Sequence, residues 1–216
     1  MPKLRYPCFI SYRHSDGKYG ERCIQEFLEA LESRLEWHLD RKIYIDRQRL
    51  HGGVLHPSAL ARALCESACL VVIYWPTYFS EEHTYCTSEY IAMERLEGKR
   101  THLVQELKDK DLGLIIPIVF CGENTLPQVM KGHRQYQNFT WYRLTGPRWH
   151  DNPLFEEKVI EIAEYITECF ETLENSAADL CGDCGSFALP SQDEALDWLD
   201  KNGIKRKIKP APFPGH

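Results

Sequence analysis

Leu70-Val71-Val72-Ile73-Tyr74 is the stretch that decides the fold. Its five apolar residues run together with no polar alternation. A strand with one wet face alternates, whereas a strand covered on both faces does not, and such double cover is typical of parallel sheets flanked by helices. Reading outward, strand-like and helix-like segments take turns. Upstream, Cys8–Tyr12 is a short apolar run, and Glu21–Leu39 carries Ile24, Phe27, Leu28, Leu31 and Leu35 at helical spacing. Lys42–Asp46 reads as a second strand, and Pro57 and Ser58 open a helix through Leu60, Ala61 and Leu64. Downstream, a helix runs from roughly Tyr85 to Leu96, followed by strands at Leu112–Phe120 and Phe139–Leu144. A long helix over Leu154–Leu173 then presents Val159, Ile162, Ile166 and Phe170 on one side. Pro117 is awkward inside a central strand, because proline cannot donate to the ladder. Five strands alternating with helices predict an open α/β sheet, with the strand order left unread.

The chain divides into a main domain over residues 6–174 and an extension over 175–216. Within the extension, Cys181-Gly182-Asp183-Cys184-Gly185 is loop-like, and Ser191 with Glu194 forms the pattern of a capping box. A short helix is expected over 192–201, ended by Asn202-Gly203, and the basic, proline-rich end from Lys205 is expected to be mobile. Cys181 and Cys184 have the spacing of half a metal site, but no second pair lies nearby in sequence, so no metal is expected.

Across 216 residues, 43% are hydrophobic and 27% charged, which suits a globular protein with a sizeable core. A formal net charge of −6 argues against nucleic acid as the main partner. No segment approaches the length of a membrane span. Met1–Pro7 leads into the first strand without the apolar stretch of a signal peptide, and the nine cysteines are odd in number. These features give a cytoplasmic chain with reduced thiols, most of them packed as small hydrophobes.

Ligands of open α/β sheets bind beyond the carboxyl ends of the strands. The residues there are Tyr12, Arg13 and His14, then Asp46 to Arg49, Trp75, and Cys121-Gly122. Glu89 lies early in the helix after the third strand, and Tyr85 is four residues before it, so both fall on one helical face. Glutamate near a helix start is also ordinary dipole placement, so spacing alone assigns it no chemistry.

Three segments change that weighting. They are Cys8-Phe9-Ile10-Ser11-Tyr12-Arg13, Ile45-Asp46-Arg47-Gln48-Arg49-Leu50-His51-Gly52-Gly53, and Tyr85-Cys86-Thr87-Ser88-Glu89. In this order they resemble the TIR domain family over about residues 6 to 174. The resemblance implies a flavodoxin-like parallel sheet of order 2-1-3-4-5 with helices on both faces. It puts Glu89 in the place of the catalytic glutamate of NAD+-cleaving members, with NAD+ as substrate and no cofactor. Tyr12, Arg13, His14, Asp46, Arg49, Trp75 and Tyr85 would then border the substrate, with Arg13 or Arg49 on the pyrophosphate. Asp46, Arg47, Gln48, Arg49, Leu50, His51, Gly52 and Gly53 would form the loop through which TIR domains associate, so activity would depend on self-association. Two departures stand out: Tyr85 replaces the frequent tryptophan, and His51 replaces a frequent acid. The stand-alone layout looks like bacterial members that act in antiphage defence by depleting NAD+ or by making a nucleotide signal for a partner effector. A non-catalytic TIR adaptor or virulence protein is one alternative. A nucleoside deoxyribosyltransferase-like enzyme, with a glutamate on a related fold, is the other.

Overall fold

Every residue of the strand Ser67–Tyr74 is buried, as its unbroken apolar run requires. The computed structural model describes residues 4–13, 18–45, 57–133, 136–143, 152–180 and 182–204. Five strands form one all-parallel sheet of order β2-β1-β3-β4-β5. They are β1 (Tyr6–Tyr12), β2 (Tyr44–Ile45), β3 (Ser67–Tyr74), β4 (Ile115–Val119) and β5 (Gln137–Asn138). The order reverses between β1 and β3, the flavodoxin-like arrangement.

The helices are α1 (Lys18–His38), α2 (Pro57–Cys65), α3 (Tyr85–Leu103), α4 (Gln105–Asp109), α5 (Gln128–His133), α6 (Thr140–Arg143), α7 (Pro153–Glu174) and α8 (Gln192–Lys201). α1 packs on α7, and α2 packs on α3. Right-handed crossovers on either side of the reversal put these pairs on opposite faces. Side chains agree. The Cys69 thiol of β3 meets Cys169 of α7, whereas Ser11, one strand over and of opposite parity, meets Glu89 of α3.

Several boundaries differ from the sequence reading. The second strand is only Tyr44–Ile45, and its expected end, Asp46, lies outside the described residues. The fifth strand, expected over Phe139–Leu144, is not formed by the described residues 139–143. That strand is Gln137–Asn138, and α6 begins at Thr140. The Asn138 side chain accepts from the Thr140 backbone N–H at 2.9 Å, a local turn that competes with the ladder. The basic, proline-rich end from Lys205 lies outside the described residues.

Pro117 has a physical account. The Leu114 carbonyl faces β3, where it accepts from Leu70, and the Val119 carbonyl faces β5, where it accepts from Phe139. By alternation the nitrogen of Pro117 faces the β5 side, and β5 pairs only with Ile118 and Val119. The missing donor therefore falls where β4 is still an edge.

α3 continues seven residues past the expected end at Leu96, to Leu103. Its buried side includes the charged residues Glu97 and Arg100, which apolar periodicity does not register. Glu97 accepts from the Leu114 backbone N–H at 2.6 Å. The Arg100 guanidinium donates to the carbonyls of Cys65 (2.7 Å), Ser67 (2.7 Å) and Ala68 (3.1 Å), clasping the junction between α2 and β3.

The extension folds back onto this frame. α8 starts at a complete Ser191–Glu194 capping box and packs on α3. Ala195 and Leu199 are buried, and Arg95 of α3 pairs with Glu194 at 2.8 Å. Cys65, at the end of α2, is joined to Cys184 by a disulfide with a Cα–Cα distance of 5.7 Å. This corrects the expectation of reduced thiols for that pair, and it removes Cys184 from the half-metal pattern. Nothing local could announce a bond across a sequence separation of 119. Of the other described cysteines, Cys8, Cys23, Cys69, Cys86 and Cys169 are buried and Cys121 is part-buried. Reducing the disulfide, or replacing Cys184 with Ser, is expected to lower stability by roughly 2–4 kcal/mol, because a long closed loop loses its constraint in the unfolded chain. Thermal melts of oxidised and reduced protein should differ by about 5–15 °C at this chain length. Coincident melts would mean that α8 packing alone holds the extension.

Among the described residues, no helix is long and apolar enough to cross a membrane.

Candidate functional site

Ser11 is the last residue but one of β1, and Glu89 lies one turn inside α3, on the helix that covers that strand face. Ser11 Oγ donates to Glu89 Oε2 at 2.6 Å. The Tyr78 hydroxyl lies 2.7 Å from the same Oγ. A serine has one proton to give, and the carboxylate takes it, so Tyr78 is the donor in the second bond. Its other acceptor, the Cys86 carbonyl, is more distant at 3.4 Å. Burial, helped by Cys86 and Glu89, pushes the Tyr78 phenol well above its ordinary pKa, so it keeps its proton for donation. The three side chains form a chain of donation, Tyr78 to Ser11 to Glu89.

This chain is sealed. Ser11, Tyr78 and Glu89 are 1%, 0% and 0% exposed. Burying a carboxylate is costly unless charge-assisted hydrogen bonds replace its water, and the Ser11 hydroxyl supplies one. In such dry surroundings a fixed carboxylate acts more strongly on nearby charge than it would in water.

The other expected site residues separate into groups. Arg13 leaves the end of β1 and donates from Nη1 to the Thr77 carbonyl at 2.8 Å, bridging the loop after β3. Tyr12 is buried, and Trp75 is part-buried with its ring stacked on Phe120 at 6.1 Å. Tyr85 is 62% exposed, so it stands at the surface while Glu89, one turn further along the helix, is enclosed. His14, Asp46 and Arg49, with the whole assembly loop over 46–53, lie outside the described residues.

Two cavities border these elements. One, of about 670 Å³, is lined by Arg13, Tyr74, Thr77 and Gln128, and by Asn202 and Ile204 from the extension. It sits at the order reversal between β1 and β3, where such sheets hold ligands. The other, of about 650 Å³, lies between the N-termini of α2 and α3 and includes Tyr85, Ser88 and Leu189. A larger cavity of about 1180 Å³ lines Gly113, Ile115 and Tyr165 near the start of β4. α3 runs opposite to the strands, so that cavity is at the far end of the sheet from Glu89.

The sequence singles out Glu89, expected beside Tyr85 at the crevice, and includes Ser11 in one of its three segments, but it gives Tyr78 no part; Glu89 is instead enclosed while Tyr85 is exposed. Tyr78 sits in the loop after β3, where no periodicity marks a side chain that reaches Ser11. The extension's share in the first cavity was also illegible, because it depends on how α8 docks.

No protein-family model matches the chain, and no curated protein matches it.

Proposed function

We propose that the chain is a TIR-domain enzyme that cleaves NAD+ at the nicotinamide–ribosyl bond. The observation that carries this reading is the buried Glu89 carboxylate, held by Ser11 just below the carboxyl ends of β1 and β3. The resemblance of the three sequence segments supports it. In the reaction the C1′–N bond breaks, and nicotinamide leaves as a neutral molecule with the bonding electrons. No general acid is needed, unlike the usual two-carboxylate glycosidase. Glu89 stabilises the oxocarbenium-like ribosyl group, and Arg13 holds the pyrophosphate. Water then attacks C1′ and gives ADP-ribose with release of a proton, while attack by the adenine ring gives a cyclic isomer. NAD+ is substrate and no separate cofactor enters.

Glu89 is 0% exposed, so NAD+ reaches it only after its cover moves. Self-association through the loop over 46–53 is the proposed trigger. The setting is bacterial antiphage defence, by NAD+ depletion or by a nucleotide product that activates a partner effector. The Cys65–Cys184 bond is at odds with a reducing compartment. The same sealing of Glu89 favours a second reading, an adaptor that works by TIR–TIR contacts alone. A deoxyribosyltransferase-like enzyme is the remaining alternative.

Purified protein incubated with NAD+ over a range of protein concentrations tests these readings. Nicotinamide release should rise more steeply than in proportion to enzyme, because assembly precedes turnover. No release at any concentration, including conditions where light scattering shows assembly, would sink the enzyme reading and leave the adaptor. Base exchange between added deoxynucleosides without NAD+ turnover would select the transferase.

A further inference from the structure

The structure points to α8 as a positioning element for Glu89, acting through one continuous set of packed side chains; this inference rests on the reading of Glu89 as the catalytic group. The set begins at Trp198. Its ring lies 5.4 Å from Phe79 and 5.3 Å from Tyr90, and its Nε1 donates to Glu94 at 3.1 Å. Phe79 meets Tyr90 edge-on at 5.4 Å and Tyr78 edge-on at 4.9 Å. Tyr78 then reaches Ser11, and Ser11 reaches Glu89, at 2.7 and 2.6 Å. Tyr90, next to Glu89 on α3, packs on the same Phe79, and the route from Trp198 to the carboxylate runs through Phe79 and Tyr78, the loop residue that carries the first donor.

The physical basis is close packing. Tyr78, Tyr90 and Phe79 are 0%, 0% and 8% exposed, so their rings have little room to shift while Trp198 is in place. Removing the indole opens space beside Phe79 and Tyr90, and interiors relax only partly into such space. Hydrogen bonding is more sensitive than packing. A displacement of a few tenths of an ångström at Tyr78 weakens its bond to Ser11, and with it the pose of the Glu89 carboxylate. α8 is itself held by its buried Ala195 and Leu199 and by the disulfide shortly before it. The extension therefore supports the acid as well as lengthening the chain.

Contiguity does not by itself establish coupling, so the test measures it directly. Kinetics would be compared for wild type, Tyr78→Phe, Trp198→Ala, the double variant and Trp198→Phe. Tyr78→Phe is expected to lower kcat about tenfold with KM nearly unchanged, because an orienting bond is lost. Trp198→Ala should lower kcat several-fold, Trp198→Phe should recover part of the loss, and the double variant should be no slower than Tyr78→Phe alone. Losses that multiply, or a Trp198→Ala variant with unchanged kcat and a lower Tm, would overturn the inference. A second arm needs no turnover. The antisymmetric stretch of the Glu89 carboxylate, assigned by infrared difference against Glu89→Gln, should move the same way in Trp198→Ala as in Tyr78→Phe. A band that moves in Tyr78→Phe but stays fixed in Trp198→Ala overturns the role of α8 even if NAD+ cleavage is never seen. Absence of cleavage in wild type, with the two bands shifting together, fails the enzyme reading and leaves the brace standing.

Discussion

Glu89→Gln is expected to reduce nicotinamide release by at least about 100-fold, with a Tm within a few degrees of wild type. The two sides of that result have separate causes. An amide keeps the size of the side chain and still offers an oxygen to the Ser11 hydroxyl, now 2.6 Å from Oε2. The fold therefore keeps the volume and the acceptor for Ser11, while the second carboxylate oxygen becomes an amide donor, and a loss of about 1–2 kcal/mol is expected for such a swap. The reaction loses the negative charge. Stabilisation of a developing cation by a fixed charge in a dry site amounts to roughly 3–4 kcal/mol for a single group, and about 1.4 kcal/mol is a factor of ten in rate. Nicotinamide quantified by chromatography, beside a thermal melt of the same sample, checks both. Glu89→Ala is a poorer test, since it would open a void and leave Ser11 without its acceptor. Full activity in the Gln variant would show that the carboxylate is not the reacting group.

Arg100→Leu is expected to destabilise the fold by roughly 3–5 kcal/mol, the range for breaking a buried, hydrogen-bonded charged group. Arg100 is 0% exposed and serves three backbone carbonyls at the α2–β3 junction. Leucine fills much of the space but satisfies none of those oxygens. At this chain length the Tm should fall by about 10 °C or more. Arg100→Lys should lie between, since an ammonium cannot reach three acceptors with the fixed fork of a guanidinium. Arg95→Ala is the control. Its pair with Glu194 has both side chains about half exposed, at 55% and 51%, and exposed pairs contribute about 0–1 kcal/mol. Urea midpoints for the four proteins decide the matter. A midpoint for Arg100→Leu close to that of Arg95→Ala would show that the carbonyls find water instead.

The alternation of apolar strand and amphipathic helix was legible because burial on both faces leaves a run such as Leu70–Tyr74 with no polar interruption. The capping box at Ser191 was legible because its partners are three residues apart. α3 beyond Leu96 was not, because its inward side carries Glu97 and Arg100, whose burial is made tolerable by carbonyls and an N–H from other elements. The fifth strand was misplaced because an asparagine turn at Asn138 overrides the propensity of the residues after it.

By itself, then, the chain's order of residues determined the class of sheet and most helices, since those depend on neighbours a few positions apart, while the nomination of Glu89 came from the resemblance of three separated segments. Only the folded molecule decided that Tyr78 and Ser11 line up behind that carboxylate, that Cys184 bonds to Cys65, and that Trp198 rests on the rings beside them. Those pairings join positions 67, 119 and 119 residues apart along the backbone for Tyr78–Ser11, Cys65–Cys184 and Trp198–Phe79. Their geometry is fixed by how layers stack in three dimensions, and no local spacing encodes it.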